Sequence, residues 1–285
     1  MKSLPKPAYA ARATLELCAD NLEDEDLRDR LKEIADDVEK AETTYEECGK
    51  NAKLFTIPQA DNIAGKVTMG EMRRLYKGTF SRDETPTRAI YDELKAAPKS
   101  DICPLCAQRV VATLDHYLAQ SKHPVYAVTP LNLVPACSDC NKIKLAKQAT
   151  KASEQTLHPY FDSVDDEVWL VAKVKEIVPP ALEFRAVPPA AWDDLKRERL
   201  CHHFRAFGLA KLYAIQAAVE LTDIRDRLLK AGATDGPAGV RQDLEDSAVS
   251  RRKAQKNSWR AAFYAALAES EWFCAEGYTY IPESL

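Results

Sequence analysis

Two cysteine pairs constrain this chain more than any other feature of it. Cys103-Pro-Leu-Cys106 is followed, after a 30-residue spacer, by Cys137-Ser-Asp-Cys140. Each C-x2-C places two thiolates on one tight turn, and two such turns supply the four soft ligands that tetrahedral zinc prefers. One pair alone would fit a redox motif; two favour a closed structural Zn2+ site. Cys18, Cys48, Cys201 and Cys274 stand singly and are expected to be inert core thiols. This usage suits a reducing compartment. No apolar run approaches the roughly 20 residues of a membrane span, and residues 1–10 lack the apolar core of a signal peptide. A cytoplasmic chain with no membrane association is therefore expected.

The pairs sit inside a longer, mostly helical pattern. Leu27, Leu31, Ile34, Val38, Ala41, Tyr45 and Cys48 recur at alternating spacings of four and three, a heptad seam. It serves either a helix packed on its own chain or a homodimer. Further helices are predicted over Met69–Tyr76 and Thr87–Ala97, with Pro86 placed to open the second. Residues 101 to 150 read as a small module with a strand near 109–115 and a helix opening at about Asn141. Glu167–Val174 and Leu182–Val187 read as a hairpin. Helices are then predicted over Trp192–Ala231 and from Val240 to about Glu276, with Gly232, Gly236, Pro237 and Gly239 marking the turn. The aromatic residues Trp259, Phe263, Tyr264, Trp272 and Phe273 are expected in the core of the last helices. The expected fold class is α+β, mostly helical, in three segments: 1–98, helical and acidic; 99–155, the zinc-braced module; 156–285, a β-hairpin plus a helical pair.

The net charge of -4 argues at face value against a nucleic-acid partner. The charge is unevenly placed, however. Residues 15–47 carry fourteen acidic side chains and four basic ones, a local -10 that leaves +6 elsewhere. Lys142, Lys144, Lys147 and Lys151 form one basic stretch, and Arg251, Arg252, Lys253, Lys256 and Arg260 another. A basic surface can therefore face phosphate while the acidic helix masks it or meets a partner.

Between the cysteine pairs lies Leu114-Asp115-His116-Tyr117-Leu118, then Asn132-Leu133-Val134-Pro135-Ala136, with Asn141 and Lys144 directly after Cys140. In that order, from about Cys103 to Lys144, these residues resemble the HNH endonucleases, the His-Me finger nucleases with a ββα-metal core. Weaker likeness runs to His158-Pro159-Tyr160-Phe161-Asp162, and the whole is similar to longer bacterial HNH proteins, some of which belong to anti-phage systems. The resemblance implies a small ββα-metal module flanked by helical segments, acting as a metal-dependent DNA endonuclease. His116 would be the general base toward water, as an imidazole titrating near neutrality can be. Asp115 and Asn141 would hold one hard divalent ion, Mg2+, and Asn132 would brace the loop that aims the histidine. Between Cys103 and Cys140 the only acids are Asp115 and Asp139, which favours one catalytic metal over two. If Asn141 faces that metal, Lys144, Lys147 and Lys151 fall on nearly the same helical stripe and would contact DNA phosphates.

The sequence departs from the family at Ala119 and Gln120, where Pro-Lys usually follows; every implied ligand remains. His158 and Asp162, separated by Pro159, read as a packing corner, and a reach to DNA is the lesser alternative for His123, in the loop after Asp115-His116. The competing class is a non-catalytic zinc module that binds DNA or protein. RNA as substrate shares the same site. The expected partners are DNA, a second copy of the chain and an ATPase or sensor protein for which this chain would act as the defence effector.

Overall fold

The computed structural model describes residues 1–144 and 149–284, and the chain divides into two compact units, Met1–Val164 and Asp165–Leu285. The fold is α+β and mostly helical, with three separate two-stranded antiparallel sheets among the described residues. None of the described helices is long and apolar enough to cross a membrane.

The first unit begins with α1 (Ala11–Asp20), α2 (Glu25–Glu33) and α3 (Ala35–Lys50). Asp24 caps α2 by accepting the Leu27 N–H, and Glu25 and Asp26 place negative charge at its positive end. The heptad seam is not one helix: it breaks at Ile34, where ψ is near zero, so that both α2 and α3 lie against α1. Leu27, Leu31, Ile34, Val38 and Tyr45 are buried in the chain's own core, so this seam is not available to a second copy. Much of its acid is already paired. Arg12 meets Glu16, Asp36 and Glu39, Lys32 meets Asp20, and Lys6 and Lys50 both meet Glu46.

A short hairpin, β1 (Asn62–Ile63) and β2 (Val67–Thr68), turns at Gly65, whose φ of +70° suits a residue without Cβ. It leads into α4 (Met69–Leu75) through a capping box in which Thr68 and Glu71 satisfy each other's backbone N–H. A wide turn, Tyr76–Phe80, and α5 (Arg88–Ala96) follow. Then come β3 (Thr113–His116), β4 (Leu133–Ala136) and α6 (Ser138–Lys144). Leu15, Leu31, Val38, Met72, Ile90, Leu94, Leu114 and Leu133 belong to one buried cluster. Residues 1–98 and 99–155 therefore do not form separate domains: a module with two four-residue strands has too little apolar surface of its own, and the N-terminal helices supply the rest.

The second unit holds the hairpin β5 (Leu170–Lys175) and β6 (Ala181–Ala186), paired from Leu170 with Ala186 to Lys175 with Ala181. Leu170, Val174, Leu182 and Phe184 are buried, the alternation of a sheet with one covered face. Then follow α7 (Asp194–Ala206), α8 (Leu209–Ala254), α9 (Trp259–Glu269) and α10 (Glu271–Ala275). α8 breaks at Gly236, with φ +63° and ψ -152° just before Pro237, and Arg227 then meets Asp243 at 3.2 Å. In an unbroken helix those residues would stand about 24 Å apart, so the chain doubles back here, as the glycines predict. Trp259, Phe263, Tyr264 and Phe273 are buried and Trp272 half-buried, the expected core role.

Candidate functional site

The four paired cysteines converge. All are buried, and their sulfurs lie within 4.8 Å of one another. Ligand bonds of about 2.3 Å in a tetrahedron put neighbouring sulfurs about 3.8 Å apart. Cys106 Sγ and Cys137 Sγ are 4.0 Å apart, close to that spacing, so the cluster could hold a metal ion. Each turn also presents a backbone donor to sulfur: the Arg109 N–H reaches Cys106 Sγ and the Cys140 N–H reaches Cys137 Sγ, both at 3.4 Å. Such donors favour the thiolate form. Arg109 also pairs with Asp139 at 2.8 Å, tying one turn to the other. Hydrogen bonding among the sulfurs pushes Cys103 and Cys140 up and Cys106 and Cys137 down. Of the single cysteines, Cys18 and Cys274 are buried, whereas Cys48 and Cys201 are only half-buried.

The second cysteine turn launches α6. Cys137 occupies the position before the first helical residue, where its sulfur serves as the cap, and α6 packs against β3. β3 pairs with β4 from Thr113 with Ala136 to His116 with Leu133, and regular strand ends at His116. Asp115 and His116 are the last two residues of that strand, where successive side chains face opposite ways.

His116 is held firmly. Its Nε2 lies 2.8 Å from the Ala127 carbonyl oxygen, which can only accept, so Nε2 carries the hydrogen and Nδ1 the lone pair. The ring packs edge-on to Tyr76 at 4.5 Å. Burial, partly countered by the Ala127 hydrogen bond, lowers the imidazole pKa to about 4, and the nearby Lys144 charge adds to that lowering. The ring is therefore neutral at physiological pH.

Asp115 already has a cation. Lys144 Nζ lies 2.8 Å from Asp115 Oδ2, donates to the His116 carbonyl at 2.7 Å, and sits 5.0 Å from the centre of the Tyr117 ring. Burial raises the Asp115 carboxyl and Lys144 opposes that rise. This corrects the expected lysine stripe. Lys144 points inward, its side chain 9% exposed, because a carboxylate, a carbonyl and an aromatic face converge on it. α6 ends at Lys144 among the described residues, and Lys151 sits in extended backbone beside Glu154, off any helix. Lys147 lies outside the described residues. Asn141 occupies α6, half-buried, directly after Cys140.

Asn132 is fully buried and uses every side-chain hydrogen-bonding atom. Its Oδ1 accepts the Leu118 N–H at 2.7 Å and the Tyr45 hydroxyl at 3.1 Å, while Nδ2 donates to the Leu118 and Tyr126 carbonyls. The loop after His116 is thus tied to the loop that carries Ala127. His123 does not reach outward: it is buried, with Nδ1 donating to the Pro58 carbonyl at 3.1 Å. The residues not anticipated from sequence are Tyr45, Tyr76, His158 and the Ala127 carbonyl. Tyr45 and His158 had a signal, in the heptad seam and the His-Pro-Tyr-Phe-Asp turn, that pointed to packing alone.

Among known proteins, the chain is similar to Protein ea31 of Escherichia phage lambda, 25% identical over 293 residues that span 96% of this chain and 99% of the phage protein. No family model and no solved structure matches it.

Proposed function

We propose that this protein is a zinc-braced HNH endonuclease that hydrolyses DNA phosphodiesters. The observation that carries the reading is the mounting of Asp115 and His116 side by side at the end of β3, against a helix started by the second cysteine pair. Zn2+ is the ion assigned to Cys103, Cys106, Cys137 and Cys140, since four thiolates in a closed, buried set suit it.

In the proposed reaction His116 takes a proton from water at Nδ1, leaving the oxygen to attack phosphorus; the bond to the 3'-oxygen breaks and that oxygen takes a proton from a second water, giving 5'-phosphate and 3'-hydroxyl ends. The Ala127 carbonyl keeps the imidazole in the tautomer that can accept, and its hydrogen bond favours the protonated ring once formed. Asp115 and Asn141 would hold one Mg2+ through oxygen, and that ion would supply stabilisation of negative charge on the phosphoryl oxygens and the departing 3'-oxygen. Lys144 must give up Asp115 for that carboxylate to take a divalent ion, and its ammonium is then free to turn to a phosphate.

A second reading has an observation in its favour. His116 is 8% exposed and Asp115 is already neutralised, which also suits a non-catalytic zinc module that binds DNA or protein. Incubating the purified chain with supercoiled plasmid and Mg2+, then mapping the ends, separates the two: 5'-phosphate ends support the nuclease, and intact plasmid under every metal and partner condition supports the module. Cleavage of RNA alone would move the substrate without moving the site. The biological setting we propose is a defence effector beside an ATPase or sensor partner. Genes for such a partner next to this one support it, and failure to recover any partner during phage challenge contradicts it.

A further inference from the structure

The first unit contains a buried polar chain that the proposed chemistry does not use directly. It runs from the turn at residues 158–162 through α3 to the loops on both sides of His116. The Tyr160 N–H donates to His158 Nδ1 at 3.2 Å, which leaves the hydrogen on Nε2. That Nε2 lies 3.1 Å from the Tyr45 hydroxyl, so Tyr45 receives from His158 and gives its own hydrogen to Asn132 Oδ1 at 3.1 Å. Asn132 then holds Leu118, two residues past His116, by both backbone groups, and the Tyr126 carbonyl, next to the Ala127 that anchors His116. Each hydrogen has one direction to go, so the chain has a single polarity. Tyr45, Asn132 and His158 are all at most 1% exposed, and a buried group whose partner is removed has no water to replace it.

We propose that Tyr45 and His158 are positioning residues for His116: through Asn132 they fix both loops that mount the imidazole. The proposal rests on the nuclease reading for its effect on rate but not for its effect on structure. It also explains the tight seating of the turn on α3, where a Cβ at Gly49 would fall 2.4 Å from the Phe161 ring. The acidic N-terminal segment thereby becomes part of the site's scaffold.

The test uses the full chain loaded with zinc. Tyr45→Phe keeps the ring and deletes only the hydroxyl. Losing one such bond should lower kcat about tenfold with KM unchanged, and amide exchange at Leu118 should accelerate about tenfold while β4 amides stay protected. His158→Phe should match it, the double variant should lose no more than either alone, and His158→Gln, which keeps a donor, should recover most of the rate. Unchanged Leu118 exchange in both single variants overturns the proposal. So does a loss that appears only as lower thermal stability, or a double variant whose losses add. If the unmodified protein cuts nothing, the nuclease reading fails, while the exchange at Leu118 still decides the relay.

Discussion

The sulfur cluster and the Asp115–His116 strand end both adjoin α6, yet they differ in charge: the cysteines offer four soft sulfur donors, whereas Asp115 is already paired with Lys144. Four sulfurs within 4.8 Å of one another have no positive partner among themselves. Asp115 has Lys144 at 2.8 Å. Soft donors already gathered suit a permanent brace, whereas a carboxylate neutralised by a tethered ammonium must exchange that charge before it can take another cation. Cys137 caps the start of α6, and Lys144 is its last described residue.

The largest effect expected from breaking this contrast lies on the sulfur side. Cys106→Ser, or removal of the metal by a strong chelator, should unfold much of the first unit, since structural zinc contributes on the order of 10 kcal/mol to small sites. Thermal unfolding with metal analysis reads it, and a folded, zinc-free variant would contradict it. On the other side, Lys144→Met leaves Asp115 buried and uncompensated, and should cost about 3 kcal/mol in chelator-treated buffer with zinc retained. Added Mg2+ should restore most of that loss by occupying the vacated carboxylate. A variant as stable as the parent and indifferent to Mg2+ would mean that Lys144 and the ion do not share Asp115.

How much of this was legible in the sequence depends on how local each interaction is. C-x2-C spacing is a property of a few bonds, so the two cysteine turns follow from nearby residues; the strand at Asp115 and the helix after the second turn also do, though α6 starts at Ser138 and not Asn141, and β3 at Thr113 and not residue 109. The mount of His116 does not. Ala127 acts through a backbone carbonyl, which leaves no trace in side-chain identity. Tyr45 reaches Asn132 from another element far away in the chain, and within the heptad seam it is indistinguishable from an ordinary core tyrosine. Lys144 lies inward because Asp115, the His116 carbonyl and the Tyr117 ring converge on it, tertiary partners that helical spacing from Asn141 does not encode. The division into three segments failed for a related reason, since shared burial between α1–α5 and the β3–β4 strands has no linear signature.

A smaller effect sharpens the same contrast away from both sites. Arg30 holds the Glu71 carboxyl well down, at about 2, with help from the Thr68 backbone and hydroxyl. A carboxylate depressed by folding adds stability that is complete above its ordinary value and disappears as pH falls through about 2. Glu71→Gln should therefore lower stability by about 1 kcal/mol at neutral pH. The gap between variant and parent should close as the medium is acidified below about 4.5. A gap independent of pH would assign the loss to packing.

The most direct test of the whole account sets His116→Ala beside the parent protein on supercoiled plasmid with Mg2+, both carrying equal zinc and melting at the same temperature. The account predicts that the parent yields nicked or linear DNA and that the variant, folded and zinc-loaded, yields none. Equal cleavage by the two, or none by either with partner present, would contradict it.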